Sequence, residues 1–310
     1  MNLVFCGTPE FAVPTLRKLL VEKFPVQAVV TQPDRARGRG QKVSAAPVKE
    51  VALEHGLHVY QPEKMRSESA RQFFERARPD AVVIIAYGQI IPADLLAIPK
   101  YGWINLHASL LPKYRGAAPV QWAIVNGESG TGVTTMRIDP GMDTGPILLQ
   151  QEVEIAPGDT AGTLAGRLGA LGADLMVRTL RGLEAGTIIE RPQENALATY
   201  APRIKKDEGR IDWNLKAEQI HNRIRGFAPW PGAFTSFRGQ LCHLWRSWPE
   251  AGPLRAHPPG TIFVESGRLM VTCGGQTPLR VDELQLENRK RISALDFMNG
   301  MKLLTGEKFC

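Results

Sequence analysis

The chain has 310 residues, of which 43% are hydrophobic and 22% charged, as in an ordinary soluble globular protein with room for two domains. No apolar run approaches the roughly 20 residues of a membrane-spanning helix, and the N-terminus reads as a strand without a basic leader, so neither a membrane anchor nor a signal peptide is expected. Four scattered cysteines without a Cys-x-x-Cys pair argue against a zinc site or a disulfide framework and favour a reducing cytoplasm.

The net charge of +7 is unevenly distributed along the chain. Residues 1–200 contain 21 Lys/Arg and 20 Asp/Glu, whereas residues 201–310 contain 17 and 11. The last third therefore carries a net charge of +6, against +1 for the rest. A polyanionic partner such as RNA accounts for this excess. On charge alone, a basic surface that only aids solubility explains it equally well.

The first 190 residues alternate apolar strand patterns with amphipathic helix patterns. Two strands, Leu3–Cys6 and Ala81–Ala86, are uniformly apolar, as strands covered on both faces should be. Thr8 is predicted to cap the first helix, because a proline and a glutamate follow it. The other predicted elements are strands at 26–30, 103–107, 132–138 and 145–155 and helices at 44–56, 67–78, 118–126 and 160–185. This alternation predicts an α/β domain with a Rossmann-like, doubly wound, mostly parallel sheet over residues 1–189.

A stretch rich in proline and polar residues, 190–208, is predicted to be a linker. After it the pattern changes to one short helix, predicted at Ala217–Phe227, and several short strands punctuated by glycine and proline. Those strands are predicted at 233–237, 241–248, 260–264, 269–273 and 279–286. Strands of this number and length predict a small C-terminal β-barrel over residues 209–310, with an OB-like fold as the favoured case.

The main candidate site begins in the predicted strand Trp103–His107. Asn105 and His107 are two residues apart, so their side chains project from one face of the strand just before it enters a loop. Open α/β sheets bind ligands at such carboxyl ends. A histidine with satisfied hydrogen bonds on an edge strand is the simpler interpretation and would be favoured for a lone histidine. The neighbouring asparagine and an acidic loop downstream count against it here.

The acidic loop contains two prolines, two glycines and two aspartates within residues 139–146. Either aspartate can simply cap the tight turn, and this is the better interpretation of Asp139. Asp143 lies deeper in the loop, where it can face Asn105 and His107. The trio lacks a serine or cysteine nucleophile in a recognisable elbow, which argues against an acyl-enzyme route.

The three side chains suit direct transfer of an activated carbonyl group to a nucleophile instead. The Asn105 amide can donate to the oxyanion of a tetrahedral intermediate, where the loss of one such donor typically costs about 3 kcal/mol. His107 can carry the proton that an attacking amine loses. Asp143 would favour the protonated imidazole by charge attraction and would fix its tautomer.

These residues also carry a resemblance to a known family. The stretch Asn105-x-His107, followed by Ser109-Leu110-Leu111-Pro112-x-Tyr114-Arg115-Gly116 and by Asp143 in the later loop, resembles the folate-dependent formyltransferases. Further stretches resemble the members that formylate methionine on initiator tRNA: Gly7–Phe11, Thr31–Arg35 with the basic loop after it, Ala86–Pro92, Asn222–Gly226 and Pro229–Ala233. The resemblance covers essentially the whole chain.

The resemblance implies a role for each matching position. Asn105, His107 and Asp143 would be catalytic, and Phe11 would contact the methionine side chain, although a core phenylalanine is an equally good interpretation. Folate binding is implied for Tyr87, Gly88, Gln89, Ile90, Ser109, Leu110, Leu111 and Pro112. The formyl donor would be 10-formyltetrahydrofolate, with no metal. The acceptor would be the α-amino group of methionine on charged initiator tRNA, for a monomeric chain in the cytoplasm.

The residues predicted to bind tRNA lie in the basic loop 34–50 and just before the C-terminal part. They are Arg35, Arg37, Arg39, Lys42, Lys205 and Lys206. Arginine with glycine in an exposed loop suits phosphate contact and ordering on RNA. From the residues alone a mobile solvated loop is an even alternative, and the resemblance favours tRNA, with Arg39 as the first choice.

Two other functions stay open at this point. A formyltransferase for a nucleotide-linked amino sugar would share the Asn-x-His pair and the folate loop. A non-catalytic folate- or RNA-binding module would share the fold, although the intact trio argues against it. The basic loop and the basic last third favour RNA without excluding a nucleotide sugar.

Overall fold

The computed structural model of the chain describes residues 1–37, 42–252, 257–304 and 306–310. The chain divides into two compact units. The first comprises residues 1–119, 130–154 and 165–201, and the second comprises residues 120–129, 155–164 and 202–310. The units are therefore interleaved in sequence. Among the described residues, no helix is long and apolar enough to cross a membrane.

Up to residue 201 each predicted strand and helix is present, several with somewhat different bounds, and the structure adds short strands at 35–37, 42–44, 58–60, 115–116 and 200–201 and a short helix at 93–96. The strands are β1 (Leu3–Gly7), β2 (Val26–Val30), β3 (Arg35–Arg37), β4 (Lys42–Ser44), β5 (His58–Tyr60), β6 (Ala81–Ile85), β7 (Trp103–His107), β8 (Arg115–Gly116), β9 (Gly130–Arg137), β10 (Ile147–Glu154) and β11 (Tyr200–Ala201). The helices are α1 (Val13–Val21), α2 (Pro47–Glu54), α3 (Glu68–Ala77), α4 (Ala93–Leu96), α5 (Pro119–Val125) and α6 (Ala161–Glu184).

The main sheet of the first unit has the strand order β5-β2-β1-β6-β7-β9-β10. From β5 to β7 the neighbours run parallel, whereas β9 is antiparallel to both β7 and β10. The chain order reverses at β1, because β2 and β5 lie on one side of it and β6 and β7 on the other. The carboxyl ends of β1 and β6 therefore flank the position where open α/β sheets bind their ligands.

Helices cover both faces of this sheet, because its central strands are apolar on both sides. β1 and β6 are buried along their whole length, as their composition predicts. On one face, Trp103 of β7 shares a core with Phe74 of α3. On the opposite face, the hydroxyls of Thr135 in β9 and Thr179 in α6 lie 2.8 Å apart in a hydrogen bond.

Some local predictions differ from the structure. Thr8 does not cap a helix: its hydroxyl oxygen accepts hydrogen bonds from the Gln32 N–H at 3.3 Å and the Thr31 hydroxyl at 3.4 Å. The cap prediction was therefore wrong, and a short 3₁₀ helix, Glu10–Ala12, precedes α1 instead. The predicted helix 44–56 begins only at Pro47, because Ser44 pairs with Arg35 between β3 and β4.

The segment 190–208, predicted as a linker, makes specific contacts with the first unit over its first part. Ile147 and Arg191 exchange backbone hydrogen bonds of 2.8 and 2.9 Å. β11 pairs in parallel with β8. Residues 190–201 belong to the first compact unit, and the second unit resumes at residue 202, inside the predicted linker. The compact units therefore divide the chain at different residues from the predicted domains.

Beyond residue 201 the structure is an antiparallel sheet with two helices among the described residues. The elements are α7 (Ala217–Gly226), β12 (Ala233–Phe237), β13 (Gln240–Pro249), β14 (Ile262–Glu265), β15 (Arg268–Thr272), β16 (Pro278–Leu286), β17 (Ile292–Ser293) and α8 (Ala294–Met301). The sheet order is β12-β13-β16-β15-β14, with β17 paired to β16. The helix α8 was not predicted from the sequence.

The last residues of the chain connect the two edges of this sheet. Ser236 of β12 exchanges backbone hydrogen bonds of 2.8 and 3.0 Å with Cys310. At the other edge, the Phe309 N–H donates to the Gly260 carbonyl at 2.9 Å, and the Ile262 N–H donates to the Glu307 carbonyl at 2.8 Å. The edge strands β12 and β14 are thus each paired with the C-terminal segment, around a core to which α7 and α8 contribute.

Candidate active site

Asn105 and His107 lie at the carboxyl end of β7, where their spacing predicts them. Their side chains share one face of the strand, because residues two apart on a strand do so. Asn105 is paired with Ile84 of β6 and Met136 of β9, and it is partly exposed. Its side chain makes no hydrogen bond to another described residue, so the amide can donate to a ligand.

The His107 imidazole is nearly buried, with 6% of the residue exposed. Its Nε2 lies 2.9 Å from the carbonyl oxygen of Tyr114, and its Nδ1 lies 3.7 Å from Oδ2 of Asp143. A carbonyl oxygen only accepts, so Nε2 must carry a proton and donate it. Nδ1 is then the nitrogen that gains or loses a proton. Its separation from Asp143 is longer than a hydrogen bond, so the attraction between the two groups is electrostatic.

Asp143 is held in the loop between β9 and β10 with a backbone φ of +53°. Aspartate is one of the few residue types that tolerate this left-handed conformation. Its Oδ2 accepts a 2.8 Å hydrogen bond from the Gly116 N–H. Asp139, in contrast, caps its own turn by accepting from the Gly141 N–H at 3.0 Å and the Thr144 hydroxyl at 2.7 Å.

A set of polar residues that the sequence did not single out ties this loop to β8. Arg115 is 2% exposed, and its guanidinium donates to Oε1 of Gln193 at 3.0 and 2.8 Å and to Oδ1 of Asn195 at 2.9 Å. The Gln193 amide in turn donates to the carbonyls of Asp143 and Gly145 at 2.8 and 2.7 Å. Arg115 lies in the motif after β7 that carries the family resemblance, so the sequence offered a signal for a role of this residue at the site. Gln193 lies in the predicted linker and carries no local signal.

The first loop predicted to bind folate, residues 87–90, follows β6. Gly88 and Ile90 are exposed, Ile90 to 90%. The Tyr87 side chain is only 2% exposed and belongs to the core, where burial raises the pKa of its hydroxyl. Gln89 is held by the Met65 N–H, which donates to its Oε1 at 2.8 Å. A ligand at this loop would therefore meet Ile90 and the backbone rather than the ring of Tyr87.

The second loop predicted to bind folate, residues 109–112, follows β7. Ser109 is fully buried and its hydroxyl donates to the Lys113 carbonyl at 2.6 Å. Leu111 is 3% exposed and packs with Met136 and Ile147 in a small cluster. Leu110 and Pro112 are partly exposed. Because β6 and β7 are parallel neighbours, both loops leave the sheet at the edge where Asn105 and His107 lie.

The residues predicted to bind tRNA are exposed where the structure describes their side chains. The Arg35 side chain is 68% exposed, and Lys205 and Lys206 are exposed as well. The backbones of Arg37 and Lys42 pair between β3 and β4. Arg39, the first choice, lies outside the described residues.

The remaining predictions for the site concern Phe11 and a metal ion. Phe11 lies in the 3₁₀ helix after β1 and is partly exposed, a position that fits either contact with a substrate or packing. Among the residues that the structure describes, no group of three or more His, Cys, Asp or Glu side chains could hold a metal ion.

Comparison with known proteins extends over nearly the full chain. Residues 1–180 match the formyl transferase family, and residues 203–302 match the formyl transferase C-terminal domain. A methionyl-tRNA formyltransferase of Solibacter usitatus is 53% identical over 308 residues, which cover 99% of this chain and 98% of that protein. One of Acidobacterium capsulatum is 52% identical and covers 98% and 97% of the two chains.

Solved structures share the fold. The sugar 3N-formyl transferase WlaRD superposes with a TM-score of 0.69 at 19% identity, covering 94% of this chain and 99% of that one. A methionyl-tRNA formyltransferase from Clostridium thermocellum does so with a TM-score of 0.57 at 14% identity, covering 92% and 98%. At such identities the likeness shows the fold alone, whereas the curated relatives are about half identical from end to end. By that similarity the chain belongs to the formyl transferase family, and within it to the methionyl-tRNA formyltransferases.

Proposed function

We propose that the chain transfers the formyl group of 10-formyltetrahydrofolate to the α-amino group of methionine esterified to initiator tRNA. One observation carries the proposal: His107 at the carboxyl end of β7 lies 3.7 Å from Asp143, and Asn105 is on the same face of that strand two residues earlier. This arrangement occurs in a chain that is 53% identical to a methionyl-tRNA formyltransferase over nearly its whole length. Site and similarity thus support the same chemistry, which a shared fold alone would not establish.

The reaction moves one formyl group and one proton. The amine nitrogen attacks the formyl carbon, and the Asn105 amide donates to the oxyanion that develops on the carbonyl oxygen. Collapse of the tetrahedral intermediate restores the carbonyl and breaks the bond to N10 of the folate. The amine has lost one proton and N10 has gained one, so the site needs a proton carrier and no external base.

The His107–Asp143 pair supplies that carrier. The Asp143 side chain is 21% exposed and that of His107 is 7% exposed, so the carboxylate is the more accessible member. It would take the proton of the attacking amine and share it with Nδ1 of His107, which is 3.7 Å away. The amine itself needs little activation, because an α-amino group titrates at about 7.7, or lower with the carboxyl group esterified.

The two loops after β6 and β7 would hold the folate. The pterin would rest against residues 86–90, with contacts to Gly88, Ile90 and the backbone of Tyr87 and Gln89. Residues 109–112 would flank it, chiefly through Leu110 and Pro112, because the side chains of Ser109 and Leu111 are buried. Phe11 would contact the methionine side chain of the acceptor.

The assignment of domains follows from the same function. We assign residues 1–189 to a Rossmann-like, doubly wound catalytic domain, 190–208 to a connection and 209–310 to an OB-like tRNA-binding domain. Pairing of both sheet edges with Glu307–Cys310 supports a closed barrel, and the net charge of +6 beyond residue 200 supports RNA. Arg35, Arg37, Arg39, Lys42, Lys205 and Lys206 would contact tRNA phosphates. We propose further that the enzyme is monomeric and acts in the cytoplasm; its free cysteines support a reducing compartment.

An assay with two acceptors tests the proposal. The protein is mixed with 10-formyltetrahydrofolate and either methionyl initiator tRNA or an amino-sugar nucleotide, and the formylated product is identified by mass spectrometry. We expect formylmethionine on the tRNA and no formylated sugar. Formylation of the sugar alone would assign the chain to another branch of its family. Absence of product from both acceptors would contradict a catalytic role.

A further inference from the structure

We propose that Gln193 is a positioning residue for formyl transfer, which holds the Asp143 carboxylate against His107 through the backbone of the catalytic loop. The inference rests on the proposed function. Gln193 acts together with Arg115 and Asn195, and these three residues are called the loop clamp below. Gln193 touches no reacting atom of the proposed reaction, so its effect must pass through Asp143.

The Gln193 amide uses its full hydrogen-bonding capacity in the clamp. Both N–H bonds are donated, one to the Asp143 carbonyl at 2.8 Å and one to the Gly145 carbonyl at 2.7 Å. Oε1 accepts twice from the Arg115 guanidinium, at 3.0 and 2.8 Å. A flipped amide would set its NH₂ against a guanidinium and its oxygen against two carbonyls. The contacts therefore admit one orientation of the amide only.

Arg115 is a rigid anchor for this amide. It is 2% exposed, and a guanidinium at that depth is costly unless its donors are satisfied. The hydrogen bonds that its guanidinium donates among the described residues go to the amide oxygens of Gln193 and Asn195. A planar, forked donor paired with two amide oxygens fixes the position of Gln193 relative to β8.

The residues beside Arg115 contact the two catalytic groups directly. The carbonyl of Tyr114 accepts from Nε2 of His107 at 2.9 Å, and the N–H of Gly116 donates to Oδ2 of Asp143 at 2.8 Å. Gly116 has a φ of +120°, and a Cβ there would lie 2.7 Å from the Ala201 carbonyl oxygen. The segment 114–116 thus sets the separation of imidazole and carboxylate, and the clamp ties the catalytic loop to that same segment.

The loop needs such a restraint because its conformation is costly. Asp143 has a φ of +53°, which aspartate tolerates better than most residues but which is still less favourable than extended or right-handed helical backbone. The carbonyls that Gln193 binds belong to Asp143 and Gly145, one on each side of Thr144. Without these two bonds the backbone at Asp143 can relax, and the carboxylate loses its position against Nδ1.

The variant Gln193→Glu isolates this role. A glutamate still accepts from Arg115 but has no N–H to donate to the two carbonyls. We expect kcat to fall about 10- to 100-fold, the loss that a small misplacement of a catalytic group produces. The KM for the folate should change little. The melting temperature should fall, because a carboxylate oxygen then faces the two carbonyl oxygens, so circular dichroism at the assay temperature checks that the variant is folded. Gln72→Glu, an exposed position on α3, is the matched control and should leave kcat unchanged.

A double-mutant cycle with Asp143→Asn separates positioning from a general structural role. If Gln193 acts through the carboxylate, Gln193→Glu should lower kcat by less than about 3-fold once Asp143 is asparagine. Equal fold losses in both backgrounds, or a wild-type kcat in the single variant, would overturn the inference.

A spectroscopic readout keeps the inference separate from the proposed function. The ring ¹⁵N and ¹H NMR signals of His107 should move in the same direction in Gln193→Glu as in Asp143→Asn, whichever acceptor the enzyme uses. Unchanged His107 signals in Gln193→Glu would refute the clamp even if wild-type formylation of tRNA is confirmed. If the wild type formylates no tRNA, the proposed function fails while this measurement still decides the role of Gln193.

Discussion

Replacing Asp143 by asparagine removes the charge that faces His107 while keeping the shape of the side chain. The Gly116 N–H still finds an oxygen acceptor, so the loop should keep its contact with β8. The carboxylate lies 3.7 Å from Nδ1. At an effective dielectric constant of roughly 20, two unit charges near 4 Å attract by about 4 kcal/mol. Partial exposure of Asp143 reduces this, so we expect a loss of about 2 to 4 kcal/mol, or roughly 30- to 1,000-fold in kcat.

The assay is steady-state formylation of charged initiator tRNA with 10-formyltetrahydrofolate, for the wild type and for Asp143→Asn. Asp139→Asn is the matched control, because it makes the same chemical change in the same loop at a residue that caps its own turn. The control should lose less than about 3-fold in kcat, since an asparagine at 139 keeps an oxygen that accepts from the Gly141 N–H and the Thr144 hydroxyl. A near wild-type kcat for Asp143→Asn would refute the electrostatic pairing of Asp143 with His107.

Three further substitutions probe other parts of the chain. Asn105→Ala should lower kcat about 100-fold or more, because it removes an oxyanion donor. The folate affinity, measured by fluorescence titration, should not change. A loss of folate affinity would point to a binding role instead. Arg39→Ala should impair formylation of charged tRNA and leave folate binding intact, and an equal loss of folate affinity would contradict the tRNA assignment. Burial, with the nearby Arg225 charge, lowers the pKa of His221 to about 4. This pKa in the folded state lies below the unfolded value of about 6.5. The contribution of the neutral His221 side chain to the free energy of unfolding is therefore complete above about pH 6.5 and is lost as the pH falls towards 4. Urea unfolding should therefore show that the free energy of unfolding falls more between pH 7 and pH 4.5 for the wild type than for His221→Gln. Equal decreases in the two proteins would refute the burial argument.

The sequence alone was sufficient for the features that depend on local periodicity. Uniformly apolar runs predicted β1 and β6 because strands covered on both faces need apolar residues at every position. The two-residue spacing of Asn105 and His107 predicted a common face for the same geometric reason. The motifs after β7 and in the acidic loop also carried the resemblance to the family, which the full-length similarity confirms.

Only the tertiary structure decided which polar groups meet. Asp139 and Asp143 are the same residue type in the same loop, and their roles separate only through contacts with Thr144 on one side and Gly116 on the other. Gln193 lies 50 residues from Asp143, in a stretch whose composition predicts a linker. A period of two or 3.6 residues reports which face a side chain occupies and nothing about which distant segment packs on that face. The partners of Asp143 are therefore a property of the folded chain, since hydrogen bonds between segments far apart in sequence leave no local pattern.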